Sequence, residues 1–320
     1  MTEQPLVSIQ VPIYNAEKYI PKLIDCLSNQ TYKNIEVVLV EDFSTDNSYQ
    51  LLKDYAEKDS RFKVIKRDTK GGNAVKGIEY SLPYLNGKYY IYLSQDDFID
   101  YDLIEKCVKK AEETSAEMVC PNTLLFWENE EPKRITKFPL NNDYNYTISG
   151  REAFPLSLTW DFSGASLQLT SILKESGIKS EYWNSCEFYH RKSLLNVKKI
   201  TFADTNFYYR QDNNDAITKK IYYFTFDVIT TDIMLLKLLI EYKYERKVIL
   251  KRLKQLIRGF GSWKRTFIQK YDNFNENQKL YIKNTLINAR KDLYSIIKEQ
   301  KYVAGYVLML SSDIRIKIKD

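Results

Sequence analysis

Five short runs of apolar and β-branched residues alternate, within the first 125 residues, with segments of helical period. The runs are VSIQVPIY (7–14), EVVLVED (36–42), FKVIKRD (62–68), YYIYLS (89–94) and a stretch over 118–125. Between them, NAEKYIPKLIDCLSNQ carries Tyr19, Ile20, Leu23, Ile24 and Leu27 on one helical face, with Asn15 as a candidate N-cap. STDNSYQLLKDYAEKD does the same with Leu51, Leu52, Tyr55 and Ala56, and a further helix is expected over 101–114. Strands alternating with helices predict βαβ units, hence an α/β fold with a mostly parallel sheet covered on both faces. Such sheets bind ligands beyond the carboxyl ends of their strands. Three of these strands end in acids: Glu41 and Asp42, then Asp68, then Asp96 and Asp97.

Charge divides the chain. Residues 219–320 hold 22 Lys and Arg against 10 Asp and Glu, so they carry +12 and residues 1–218 carry −6 of the net +6. After Lys219 the pattern turns helical: Ile249, Leu253, Leu256, Ile257 and Phe260 share a face, ringed by Lys247, Lys251, Arg252, Lys254 and Arg258. A basic helical region with its apolar face inward, its Lys and Arg outward and Trp263 and Phe267 nearby suits either an anionic membrane surface or a solvated helical subdomain packing on the sheet. No nucleic-acid-binding motif accompanies the charge. The four cysteines are scattered with no CxxC pair, which predicts buried free thiols. Neither a signal peptide nor an apolar run long enough to cross a bilayer is evident, so the expected location is cytoplasmic or peripheral.

Two adjacent carboxylates raise each other's pKa unless a cation or donor relieves them. With one histidine in the chain, oxygen ligands and a hard cation are indicated, Mg2+ or Mn2+. Such a cation binds through one or two carboxylates and completes its shell with water and substrate phosphates, which points to a nucleoside diphosphate. The structural alternative is that Asp97 and Asp100 cap the helix that follows.

The segments VPIYNAEKYI, VLVEDFSTDNS and GKYYIYLSQDD, in this order and at these spacings, resemble family 2 glycosyltransferases, the inverting enzymes of GT-A (Rossmann-like) fold that use nucleotide sugars. The resemblance is close over about 5–125, weaker to about 215, and absent from the last hundred residues. It implies a catalytic domain over 1–218, with a donor half to about 125 and an acceptor half over 126–218, followed by a helical appendage over 219–320. On this resemblance Pro12 and Tyr14 line the base pocket and Asp42 of the Glu41-Asp42 pair accepts from the pyrimidine ring, which suits UDP. Arg67 and Lys70 reach ribose or phosphate, with Gln95 and Arg210 as further nucleotide contacts. Asp96 and Asp97 fall on the family's metal motif. Three departures stand out: Phe43 where the family usually has Gly, Ser94 where it has the first Asp of the metal motif, and Ala74-Val75 where it has Arg-Asn.

The resemblance places the general base on an acidic pair that falls here on Asn184-Ser185. Glu187, Asp161, or the absence of transfer altogether then remain open. The lone His190 is read as a packed residue, and Trp160, Phe162 and Trp183 as side chains that could stack on acceptor sugars or fill the core. The implied reaction moves a hexose or N-acetylhexosamine from a UDP-sugar to a bacterial surface glycan or lipid-linked acceptor. The rival is a non-catalytic nucleotide-sugar-binding subunit, and a sugar-phosphate nucleotidyltransferase would need a Gly-rich basic loop after the first strand that PIYNAEKY does not supply.

Overall fold

The computed structural model describes residues 4–159, 161–162 and 164–314, with side chains described as far as 310. Its elements in chain order are β1 (Val7–Ile13), α1 (Ile20–Ser28), β2 (Ile35–Glu41), α2 (Ser48–Ala56), β3 (Phe62–Lys66), α3 (Ala74–Ser81), β4 (Tyr89–Tyr92), β5 (Phe98–Ile99), α4 (Leu103–Thr114), β6 (Met118–Phe126) and β7 (Lys133–Arg134). There follow α5 (Gly150–Ser157), β8 (Leu167–Leu169), α6 (Thr170–Glu175), α7 (Ser185–Leu194), β9 (Ile200–Arg210), α8 (Asp227–Glu241), α9 (Arg246–Gln269), α10 (Glu276–Glu299) and α11 (Val303–Ile314). The chain divides into two compact units. One holds residues up to Ser180 together with Tyr189–Ala216; the other holds Glu181–Phe188 together with the residues from Ile217 on.

The first unit is built on one sheet of order β3-β2-β1-β4-β8-β6-β9-β5, with β7 paired to β6. The pairs β3-β2, β2-β1 and β1-β4 are parallel, as the βαβ pattern predicts. Beyond β4 the sheet is mixed, because β8 runs antiparallel to both β4 and β6 while β6 and β9 are parallel. Every residue of β2 is buried, which explains its unbroken apolar run. Helices α1 and α4 cover the sheet through Ile20, Leu23, Ile24 and Leu27 and through Leu103, Ile104, Cys107 and Val108.

Asn15 does not cap α1. It sits in the left-handed region (φ 48°), its side chain accepts from the Thr45 amide (2.8 Å), and the helix starts later, at Ile20-Pro21, with no side-chain cap. Five buried residues, Ile20, Leu23, Ile24, Cys26 and Leu27, hold it instead. At roughly 1.5–3 kcal/mol per large apolar side chain, they outweigh a missing cap of about 1 kcal/mol. Asp100 likewise is not a helix cap: its carboxylate accepts from the Asn206 amide (2.9 Å) and the Tyr208 hydroxyl (3.0 Å), tying the chain after β5 to β9.

At the amino ends of the strands, Glu36 is buried and accepts from Ser8 Oγ (2.6 Å), the Asn86 amide (2.6 Å) and Lys63 Nζ (2.7 Å). Ser8 Oγ in turn accepts from the Gly87 amide (2.8 Å), and a Cβ at Gly87 would stand 2.5 Å from the Ser8 nitrogen, so glycine is required there. Burial works against the Glu36 charge, but the bonds from Lys63, Ser8 and Asn86 prevail and lower its pKa.

In the second unit, α9 turns Ile249, Leu253, Leu256, Ile257, Phe260 and Phe267 inward. Phe226 is packed by Trp263, Phe267 and Phe274 at 5.3–6.3 Å between ring centres. The α9 stripe and its aromatic neighbours therefore form the interior of this unit, as the inward apolar face read from the sequence requires. Lys251, Lys254 and Arg258 remain outward, while Arg252 is held by Asp232 at 2.6 Å. Among the described residues no helix is long and apolar enough to cross a membrane.

The buried Glu36 network makes a testable claim. Because the folded pKa is depressed below the unfolded one, its stabilisation is present above the unfolded value and is lost as pH falls through the folded value. Glu36→Gln is expected to cost about 2 kcal/mol at neutral pH and to flatten the acid limb of stability against pH, both read by urea denaturation; equal stability of the two proteins would refute it.

Candidate active site

The site is built where β1 and β4 part. Their ladder ends at the Gln10–Tyr92 pair, and Pro12, two residues on, has no N–H with which to extend it. Since β1 lies between β2 and β4, the sheet's order reverses here, the place where open α/β sheets bind ligands. Pro12, Tyr14, Asp42, Lys70, Gln95, Asp96 and Asp97 all fall at or just past the carboxyl ends of β1, β2, β3 and β4.

Pro12 lies under α3, where a Cβ on Gly77 would come within 3.1 Å of its own Cβ. Tyr14 is exposed, and Lys70 Nζ donates to its hydroxyl (3.1 Å) while standing 4.7 Å from the ring centre. Gln95 is committed to the Tyr14 backbone: Oε1 accepts from its amide (2.7 Å) and Nε2 donates to its carbonyl (2.9 Å). This two-point clamp joins the loop after β1 to the loop after β4.

Asp42 takes the amides of Gly71 and Gly72 on its two oxygens, the second at 2.8 Å, and Arg67 Nε stands 3.3 Å from Oδ1. Gly72 has φ 78° and can fold over the carboxylate without strain. Arg67 lies across the Tyr80 ring (5.2 Å), and its Nη1 is a buried donor with no protein partner among the described residues. A cavity of about 550 Å3 opens beside this loop, walled by Arg67, Lys70, Lys76, Tyr80 and Tyr84. Glu41, the other member of the pair, is buried and turns away to accept from the Ser44 amide.

Asp96 is half-buried. Asn213 Nδ2 donates to its Oδ2 (2.6 Å), and Arg210 Nε donates to its carbonyl (3.0 Å). Its Oδ1 has no protein partner among the described residues. Asp97 differs: it is buried, its Oδ1 accepts from the Arg210 amide (2.9 Å), and burial followed by the neighbouring Asp96 charge pushes its pKa well up. Arg210 is itself nearly enclosed, bound to Asp212 (2.9 Å) and packed on Phe126 (5.1 Å) and Tyr19 (5.5 Å). Both Asp97 and Arg210 thus hold the end of β9 against the loop after β4. Asn213, which fixes the Asp96 carboxylate, carried no sequence signal beyond its place just after the Arg210 segment.

No three His, Cys, Asp or Glu side chains converge as a metal cage among the described residues. One oriented carboxylate with an oxygen left over fits a Mg2+ or Mn2+ that takes its remaining ligands from phosphates and water. The free cysteines play no part: Cys26, Cys107 and Cys120 are buried, and burial pushes the Cys26 thiol up to about 12.

The two base candidates fall one in each unit. Asp161 in the first unit is bound by Lys137 Nζ (2.7 Å) and by the Thr159 hydroxyl (3.0 Å). Glu187 in the second stands in the first turn of α7, its amide on the Asn184 carbonyl (3.0 Å). Asn184 and Ser185, at the position of the usual acidic pair, are buried and hydrogen-bonded to Thr231 (2.9 Å) and to the Tyr182 carbonyl (3.0 Å). Phe162 is buried against Phe138 and Phe202 and offers no stacking face, and Trp183 packs on Phe224 (5.2 Å). Trp160 lies outside the described residues.

An α/β sheet with this strand order and an acidic crevice at its switch point is the GT-A architecture of glycosyltransferases. Solved structures agree in fold: the Staphylococcus aureus TarS 1-349 complex with UDP-GlcNAc matches with a TM-score of 0.66 at 16% identity, over 96% of this chain and 88% of that one. The mannosyltransferase PcManGT from Pyrobaculum calidifontis, solved with GDP-Man and Mn2+, matches at 0.52 and 15% identity, over 98% and 89%. Residues 8–218 match the model of glycosyl transferase family 2, and the chain belongs to that family of transferase enzymes. Among its relatives, glycosyltransferase GlyG of Streptococcus pneumoniae is 27% identical over 67% of this chain, and GlyA of the same species 36% identical over 39%. The matched stretches span 73% of GlyG but only 18% of GlyA.

Phe43 explains one departure from the family pattern. It occupies the left-handed region (φ 61°), where a bulky side chain is strained and glycine is not. Phe43→Gly is expected to raise stability by about 1 kcal/mol, measured by chemical denaturation; a loss of stability would show that the Phe43 ring, 5.8 Å from Lys66 Nζ, contributes more than its backbone costs.

Proposed function

We propose that this chain is an inverting glycosyltransferase that takes a hexose or N-acetylhexosamine from a UDP-sugar and adds it to a surface glycan or lipid-linked acceptor. The observation that carries the reading is the gathering of Tyr14, Asp42 and Asp96 at the carboxyl ends of β1, β2 and β4, around the point where β1 and β4 part.

Uracil presents a ring N–H between two carbonyl oxygens. Asp42 supplies the acceptor for that N–H, and the buried, unpartnered Nη1 of Arg67 supplies a donor for an adjoining carbonyl. Tyr14 offers the base an exposed face, held in place by the Gln95 clamp, and Lys70 beside it reaches ribose or phosphate. Asp96, oriented by Asn213, would hold Mg2+ or Mn2+, which when bound would supply positive charge against the diphosphate of the leaving UDP. Asp97 and Arg210 position Asp96 rather than touch the nucleotide. Inversion needs one base for the acceptor hydroxyl. Glu187 is assigned that role, and Asp161, whose carboxylate is bound by Lys137 and Thr159, is the second candidate. On this reading a lipid-linked acceptor would be met at the cytoplasmic face of a membrane.

Calorimetric titration of UDP, with and without Mn2+, tests the donor site. Wild type is expected to bind more tightly with metal, Asp96→Ala to lose that increment, and Asp42→Asn to weaken binding about tenfold or more in both conditions. Metal-dependent binding that survives Asp96→Ala would sink the metal assignment, and tighter binding of GDP than UDP would sink the base assignment. Glu187→Gln that retains transfer would move the base to Asp161.

A further inference from the structure

Among the described residues, the helical unit carries an apolar face that its own fold leaves uncovered. On α10, Leu280, Ile287 and Tyr294 recur every seven residues, close to two helical turns, and so lie in one row. Leu280 is 58% and Ile287 46% exposed. At its end the row meets α11, where the Tyr294 and Tyr306 rings stand 6.2 Å apart. There Val303, Tyr306, Val307 and Leu310 share a face at helical spacing, with Val303 75%, Val307 65% and Leu310 52% exposed. The segment VAGYVLML (303–310) has no charged residue, and only Gly305 and Met309 within it are buried. A helix apolar on all sides is normally enclosed; this one is enclosed on one side only.

The surroundings of the row say what covers it. From Leu280 onward, the positions one turn away on either side are Lys283, Asn284, Arg290, Lys291, Ile297 and Lys298, with no acid among them. The acids of α10 are engaged elsewhere: Glu276 holds Lys279, Asp292 holds Lys237 and Glu299 accepts from Ser295. A second copy of the chain would bring these cations against one another. A purely ionic polymer would leave the valines and leucines in water. Exposed aliphatic and aromatic residues bordered by lysine and arginine match the boundary of an anionic phospholipid layer, with apolar side chains among the acyl chains and cations among the headgroups. α11 has 12 residues, short of the roughly 20 that span a bilayer, so it lies along the surface.

We infer that the continuous face formed by Leu280, Ile287 and Tyr294 of α10 with Val303, Val307 and Leu310 of α11 is a docking surface for an anionic phospholipid bilayer. The inference deepens the membrane-side setting proposed above and rests on that reading only for its biological context, since lipid binding and UDP binding are measured independently.

The test is co-sedimentation of the full chain with vesicles of phosphatidylcholine alone or of phosphatidylcholine mixed with phosphatidylglycerol, alongside UDP titration of the same preparations. Wild type is expected to sediment with the phosphatidylglycerol vesicles and to be released by salt. The double variant I287D/V307D, altered only at exposed positions, is expected to bind them about tenfold or more weakly with UDP affinity unchanged. K283A/K291A is expected to weaken binding without abolishing it. Absence of vesicle binding by wild type, or equal binding by I287D/V307D, overturns the inference. So does light scattering that finds a wild-type dimer, a monomeric double variant and no lipid binding, for the face would then be a self-interface. Vesicle binding without any UDP binding upholds the lipid face and removes the donor reading alone.

Discussion

Everything in the first unit is arranged around two parallel strands that stop pairing. β1 and β4 hold each other from Val7–Tyr89 to Gln10–Tyr92 and then separate at a proline. An N–H at position 12 would have had to find a partner; without one, the gap opens at no hydrogen-bonding cost. The loops that follow are then stitched across the opening by side chains, chiefly Gln95 onto Tyr14 and Asp42 onto the Gly71-Gly72 segment. At the opposite strand ends Glu36 does the reverse, drawing Ser8, Lys63 and Asn86 into one closed network. The sheet is locked at one edge so that it can stay open at the other.

Much of this was legible in residue patterns, and the reasons are local. Buried parallel strands read as unbroken apolar runs because both faces are covered, so β2 is visible in EVVLVE without ambiguity. Acids at strand ends are visible because nothing in the strand's own structure calls for them. Which acid does what is not a local matter. Asp96 and Asp97 are adjacent and chemically identical, yet one meets Asn213 and keeps an oxygen spare while the other is sealed under the Arg210 amide. That distinction depends on where β9 passes, over a hundred residues away in sequence. The expectation that Gln95 and Arg210 touch the nucleotide likewise missed their part as struts, for the same reason.

In the helical half the α9 stripe turns inward and its lysines outward, as its period indicates, because three other helices need an apolar wall to pack on. The uncovered face runs along α10 and α11, where the apolar residues are too sparse or too short a run to register as a stripe. Position-specific strain was equally hidden: Phe43 is an ordinary loop phenylalanine until its φ of 61° is known.

The contact between Asp42 and the glycine amides carries a consequence for selectivity. Two backbone N–H groups hold the carboxylate, one on each oxygen, and leave it further lone pairs. A ring that donates can use one of them without disturbing the loop. Cytosine, whose corresponding nitrogen accepts, would set its lone pair against a carboxylate that the glycine amides keep from turning away. Discrimination between pyrimidines would then come as much from what the wrong base meets as from what the right one gains.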